Sequence, residues 1–324
     1  MKTAMKLTAA AAALATALGG SAALAQDTFV RIGSGVAGTY PIVGAKIADL
    51  INANIEGVHA TTVAGGTEAN FALMAQGEVD LLLTYSFLTP IVQRGEGSLG
   101  VPTPQARHLM TLYGALFQPA ATASSGITSL AQLDDGEYRV WGANRTSIFY
   151  PMIVAALEAA GTSFEAIEAA GGVIEEIGYG DEAGAMQDGR LDVGFFSGPA
   201  PYSLLMQVEN EPGIVLLGLS DEEIAAYSEI LPGVSAGTVP AGTYAGQEAD
   251  VTVPYVSNEL VVSADLDEEL VYKITQVLVE HHEEFHGLFA GADEITPAIM
   301  LKNAAVEVHP GAARYYDEAG IAAE

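Results

Sequence analysis

Apolar positions along this chain fall into two alternating kinds of segment. Residues 29–32 form a short run of strand composition, closed by Gly33, Gly35 and Gly38. Ile42, Val43, Ile47, Leu50 and Ile51 then recur at helical spacing around Lys46. The same order repeats at once. Residues 59–63 read as a strand, Gly65-Gly66-Thr67 as a turn opening a helix over 68–76, and 79–84 as a strand ending at Tyr85-Ser86. Alternating strands and helices form an α/β pattern, for which a mainly parallel sheet is expected. Such sheets bind ligands at the carboxyl ends of their strands, so the loops around Thr39, Thr67 and Ser86 should converge on one edge.

A polar stretch with Gly and Pro, 95–104, leads to two extended segments, 109–113 and 116–122. A second unit follows. A strand ends at Gly142, and Asn144-Arg145-Thr146-Ser147 precedes a helix over 148–160. A linker with a short helix spans 178–189, and a strand over 191–196 ends in Ser197-Gly198-Pro199. Residues 250–263 return as an extended segment before a helix over 268–286. This order predicts two lobes with separate cores, joined by two crossing strands. Residues 26–117 and 258–324 form the first lobe, 118–257 the second, and the interface between them is the expected place for a pocket.

The amino terminus sets the compartment. Lys2 and Lys6 precede an alanine-rich apolar run, and Ala23-Leu24-Ala25 is a small-x-small cleavage site, so residues 1–25 read as a signal peptide cleaved after Ala25. The expected location is the periplasm. Without that leader, 10 basic residues face 41 acidic ones, a net charge near −31. Nucleic acid and anionic membrane surfaces are poor partners for such a surface. An anionic ligand is compatible with it only where helix starts or one of the seven arginines supply local positive potential. The absence of cysteine excludes disulfides and thiol chemistry.

Gly33-Ser34-Gly35-Val36-Ala37-Gly38 satisfies the G-x-G-x-x-G dinucleotide fingerprint. That fingerprint also needs an acid at the end of the next strand, to hold a ribose hydroxyl. The next strand runs into Ala64-Gly65-Gly66-Thr67 instead, so the nucleotide reading is set aside and no cofactor is implied.

The sequence resembles the solute receptors of tripartite ATP-independent periplasmic (TRAP) transporters, in particular the TAXI branch. The resemblance rests on Gly38-Thr39-Tyr40 with Gly44, Gly65-Gly66-Thr67-Glu68-Ala69-Asn70 and Gly77-Glu78-Val79-Asp80. It continues through Gly198-Pro199-Ala200-Pro201, Val239-Pro240-Ala241-Gly242-Thr243-Tyr244 and Val271-Tyr272, and ends on His309-Pro310-Gly311-Ala312-Ala313-Arg314-Tyr315-Tyr316. It implies a type II periplasmic-binding-protein fold that closes on a small acidic metabolite, such as glutamate or 2-oxoglutarate, and delivers it to membrane permease subunits. The chain departs from the family at Tyr40-Pro41, where two tyrosines are usual, and at Gly66-Thr67, where Gly-Ser is usual. It departs again at Asn144-Arg145-Thr146-Ser147, where the family has Gly-Ser-Gly-Thr.

Each candidate ligand contact has a plainer reading beside it. Ser34, Gly38, Thr39 and Tyr40 open the first helix, and Gly66, Thr67 and Asn70 the second; hydroxyls there bind a ligand or cap the helix. Asn70 could instead bond the adjacent backbone and only shape the loop. Tyr85 and Ser86 end one strand, Ser197 and Pro199 another; a buried tyrosine is core as often as contact. Asn144, Arg145, Thr146 and Ser147 precede a helix, where an arginine clamps a ligand carboxylate or pairs with a surface acid. His282-Glu283-Glu284-Phe285-His286 spells H-E-x-x-H, which on a helix would suit a secreted zinc-dependent hydrolase. No third ligand is placed beside it by the sequence, and the receptor reading, a non-enzyme, is preferred.

Overall fold

The computed structural model describes residues 27–322, so the leader and its cleavage site lie outside the described residues. The first lobe opens with β1 (Thr28–Ser34), α1 (Tyr40–Asn54), β2 (Val58–Ala64), α2 (Thr67–Ala75), β3 (Leu81–Tyr85) and α3 (Leu88–Gln93). The chain then crosses on β4 (Ala106–Thr122). The second lobe holds β5 (Arg139–Trp141), α4 (Phe149–Ala159), α5 (Phe164–Ala169), β6 (Val173–Glu175), α6 (Glu182–Gln187) and β7 (Val193–Gly198). It continues with α7 (Ser203–Val208), β8 (Ile214–Leu216), α8 (Asp221–Ile230) and β9 (Ser235–Val239). The return crossing is β10 (Val251–Ser263), followed by α9 (Glu268–Glu280) and α10 (Pro310–Ala319).

The ten strands of the described residues belong to one connected sheet, ordered β2-β1-β3-β10-β4-β7-β5-β6, with β8 against β4 and β9 against β10. The sheet is mixed, which corrects the mainly parallel expectation. Pairing is parallel within each lobe's outer strands and antiparallel wherever a crossing strand takes part. The crossing strands impose this, because each leaves one lobe and enters the other in the opposite sense. On β4, residues from Ala106 pair with β10, whereas Leu116 to Ala121 also pair with β7. On β10, Val251 to Tyr255 pair with β9, and Asn258 to Val262 with β3.

The two extended segments predicted around Gly114 are therefore one 17-residue strand. Gly114 reads as a break but is a packing site: the Tyr255 ring lies where its Cβ would stand. The helix predicted to reach His286 stops at Glu280, and His282–Phe285 tightens into a 3₁₀ turn that buries Phe285.

Two hydrophobic clusters fill the molecule, but they do not divide along the lobes. One packs β1, α1, α9 and α10 of the first lobe through Ile32, Ile47, Leu278 and Tyr316. The other runs from Phe71, Leu82 and Leu88 of the first lobe, through Phe117 on the crossing strand β4, into Trp141, Phe195 and Leu205 of the second. The separate cores expected for the two lobes are replaced by this shared one, and the lobes meet across the cleft that it borders.

Candidate ligand-binding site

Direct contacts bring the lobes together. Tyr85 Oη donates to Ser197 Oγ at 2.6 Å, and Ser98 Oγ lies 2.5 Å from the Arg145 carbonyl oxygen. Gly38 lies against Tyr202, whose hydroxyl occupies the place of the missing Cβ, and Ala37 packs on Gly180. Between these contacts lies a cavity of about 70 Å³. The first lobe lines it with the β1–α1 turn (Gly35, Val36, Ala37, Thr39, Tyr40), the Gly65-Gly66-Thr67 turn and Tyr85. The second lobe contributes Ser147, Ile148, Phe149, Tyr179, Ser197 and Tyr202.

Helix starts shape the first-lobe side. Helices α1 and α2 begin at Tyr40 and Thr67, and no side chain caps either one. The hydroxyl of Thr39 is instead bonded to that of Tyr113, at 2.6 Å. The helices α5, α8, α9 and α10 are capped by Ser163, Ser220, Asp267 and His309. The first-turn amides of α1, less Pro41, and of α2 thus have no side-chain cap at the edge of a cavity, an arrangement that favours a bound anion, although Glu68 stands in the first turn of α2. Helices α3, α4, α6 and α7 also lack a side-chain cap at their N-cap, but the turn before α4 is bonded within itself. Ser147 Oγ accepts from the Phe149 amide at 3.3 Å, and Asn144 Oδ1 accepts from the Thr146 amide at 3.1 Å, so this turn meets its own donors.

The second-lobe side is aromatic. Phe149 and Tyr179 stack with centroids 4.2 Å apart, the Trp141 ring packs behind both, and the Tyr179 and Tyr202 hydroxyls are 2.6 Å apart. Burial raises the phenol pKa of Tyr40, Tyr85 and Tyr179, with neighbouring tyrosines adding to the rise, and pushes that of Tyr202 to about 12. All four stay neutral at physiological pH. The Tyr40 hydroxyl is buried and has no hydrogen-bond partner among the described residues. Behind the Tyr179–Tyr202 pair, Glu182 is fully buried. Its Oε2 accepts from the Gly180 amide at 2.5 Å and its Oε1 has no partner, so burial pushes its pKa up to about 7.

Of the residues singled out from sequence, Thr39, Tyr40, Gly66, Thr67, Tyr85, Ser147 and Ser197 come together on the cavity. The others stand outside its lining. Asn70 Nδ2 donates to the Ser34 carbonyl at 3.3 Å, beneath Gly65, and its buried Oδ1 has no partner among the described residues. Gly38 adopts a φ of 72° against Tyr202. The Ser86 amide bonds Ser257 of β10, and Pro199 packs on Gly291. Asn144 and Thr146 form the turn before α4. Arg145 also stands outside the lining. Its exposed guanidinium lies 5.2 Å from the Tyr150 ring centroid, and it makes no ion pair among the described residues. A cation at a helix start is disfavoured by the helix dipole, and an aromatic face on the same surface holds it outward.

The H-E-x-x-H sequence does not lie along one helix. His282 bonds the Val279 carbonyl through Nδ1, and His286 lies 3.4 Å from the Ile295 carbonyl through Nε2. Among the described residues no group of three metal-capable side chains forms. The geometry the hydrolase reading needs is thus lost where α9 ends.

Sequence reasoning missed Phe149, Tyr179 and Tyr202. Tyr179 lies between Gly178 and Gly180, in the turn that follows β6 as Gly65-Gly66 follows β2. Aligning the two lobes would have pointed to it. Tyr202 directly follows Gly198-Pro199-Ala200-Pro201, one of the motifs already noted.

A family model described as the NMT1-like family matches residues 32–320. Among solved structures, the chain is similar to PhnD1 from Prochlorococcus marinus (MIT 9301), in complex with methylphosphonate. The identity is 11%, the coverage 83% of this chain and 89% of that one, and the TM-score 0.52. It is also similar to the alkanesulfonate-binding protein SsuA from Xanthomonas axonopodis pv. citri, bound to MOPS, at 13% identity, with 90% and 84% coverage and a TM-score of 0.51. The fold is thus the two-lobed α/β architecture of type II periplasmic binding proteins. No helix among the described residues is long and apolar enough to cross a membrane.

Proposed function

The chain belongs to the NMT1-like family, and from that membership we propose that it is an extracytoplasmic solute receptor, not an enzyme. It is exported by cleavage after Ala25, captures a small organic acid between its lobes and delivers it to a membrane permease. The observation that carries this reading is the cavity lined from both lobes, with uncapped helix starts on one side and neutral hydroxyls on both. Lobes that share a ligand are held together by it and part when it leaves, and β4 and β10, with residues 26–117 and 258–324 on one side and 118–257 on the other, provide the hinge. The motifs shared with the TAXI branch favour a TRAP permease as the partner.

The experiment is calorimetry paired with small-angle scattering, on protein unfolded and refolded to remove carried-over solute. One-to-one binding of a small organic acid with a smaller radius of gyration is the expected result. Saturating ligand without contraction would contradict hinge closure.

A further inference from the structure

We infer that the ligand is a singly charged, compact carboxylic acid with an apolar body, rather than a dicarboxylate or an amino acid. This rests on the receptor reading and concerns the same cavity. None of the lining residues is Asp, Glu, Lys, Arg or His, and Arg145 lies outside. One carboxylate can be met by the first-turn amides of α1 and α2. Tyr40 also lines the cavity, and its buried hydroxyl is left without a protein partner, a donor that a small rotation of the ring would bring to the ligand.

A second carboxylate would leave water without a cation to face, against Phe149, Ile148 and Tyr179. An α-ammonium group would find only neutral acceptors and aromatic faces, because the nearby Glu182 stands outside the cavity lining with its Oε2 bonded to the Gly180 amide. The second lobe therefore meets the body of the ligand with rings and neutral hydroxyls, and the first lobe meets its charge.

The test is a calorimetric series that changes one group at a time: butyrate, succinate, 2-aminobutyrate and ethanesulfonate, on refolded protein. Butyrate should bind at least tenfold more tightly than each of the other three. Tyr40→Phe should weaken butyrate about five- to tenfold while leaving the unfolding midpoint of the ligand-free protein unchanged or raised, since it removes an unpartnered buried hydroxyl. Tighter binding of succinate or 2-aminobutyrate would overturn the inference and leave the receptor reading standing. Tighter binding of ethanesulfonate would overturn the head group. A lower ligand-free midpoint with unchanged affinity in Tyr40→Phe would make that hydroxyl structural and remove it from the site. If no small solute of any class bound, the receptor reading itself would fall, and this inference with it.

Discussion

The frame of the first lobe is repeated almost atom for atom in the second. Arg31 on β1 binds Asp80 through its backbone amide, Nε and guanidinium, and reaches the Gly77 carbonyl. Arg139 on β5 does the same to Asp192, and reaches the Gly189 carbonyl. Each aspartate carbonyl then accepts, at 2.8 Å, from the last residue of a crossing strand, Ser263 of β10 for Asp80 and Thr122 of β4 for Asp192. The ends of the lobes that face the cleft do not repeat. Helix starts in both lobes lack side-chain caps, but the second lobe bonds the turn before α4 through Asn144 and Ser147 and presents aromatic rings, whereas the first presents open glycine turns. A duplicated frame fixes where the cleft lies, and the difference at its rims gives the two lobes different work.

The largest expected effect separates the buried centres of the lobes. On the crossing strands, the first lobe holds a fully buried His108–Glu259 pair at 2.7 Å, with Thr89 on the other carboxylate oxygen and the Met300 carbonyl on His108 Nε2. The second lobe holds a neutral Gln118–Tyr244 bond at 2.7 Å. Glu259→Leu should cost about 3–5 kcal/mol, because it strands a buried imidazole. Gln118→Leu should cost about 1–3 kcal/mol. Urea unfolding of both variants checks the order.

Next comes Glu182, at the start of α6. Its first-lobe counterpart Glu68, in the first turn of α2, has Ser98 and the Leu99 amide on its carboxylate. Glu182 has a folded pKa of about 7, above its ordinary 4.5. The folded state therefore binds more protons than the unfolded one between those values. This group's contribution to stability falls as pH rises through that window, by roughly 3 kcal/mol, and is level above it. Glu182→Gln should accordingly gain on the parent at pH 8 but hardly at pH 4.5, as measured by unfolding midpoints.

If the frames are equivalent, Arg31→Met and Arg139→Met should each cost about 1–2 kcal/mol, and by similar amounts, since each removes a bidentate, partly exposed pair. A large inequality would show that one lobe depends on its strap more than the other. Gly38→Ala acts at the rim. It places a methyl against the Tyr202 hydroxyl at a left-handed φ and should weaken ligand binding about tenfold, roughly 1.4 kcal/mol, by holding the lobes apart. Arg145→Ala should change affinity less than twofold, because its guanidinium rests on Tyr150.

The sequence carried the frame well, because glycine turns between apolar runs mark strand ends wherever the strands are long and buried. β6 was not legible: its three residues are exposed or half-buried, and without it Tyr179 reads as part of a linker. Gly114 looked like a break because its role depends on Tyr255, 141 residues away. Arg145 is a case in which position along the chain and position in the fold differ. A lone arginine at a helix start in an acidic chain invites a ligand, but a ring five residues on decides where it points. The hydroxyls at the starts of α1 and α2 were legible as capping or binding groups. Only the fold shows that neither helix start is capped by a side chain.

The most direct test of the account uses Trp141, the only tryptophan. Its indole is fully buried, donates to the Ile177 carbonyl at 3.0 Å and touches Phe149 and Tyr179, which line the cavity. Titrating refolded protein with butyrate should change its emission saturably, and the titration of Gly38→Ala should be displaced to higher concentration. A flat trace would contradict the account, since filling the cavity and closing the lobes cannot leave the rings that contact the indole where they were.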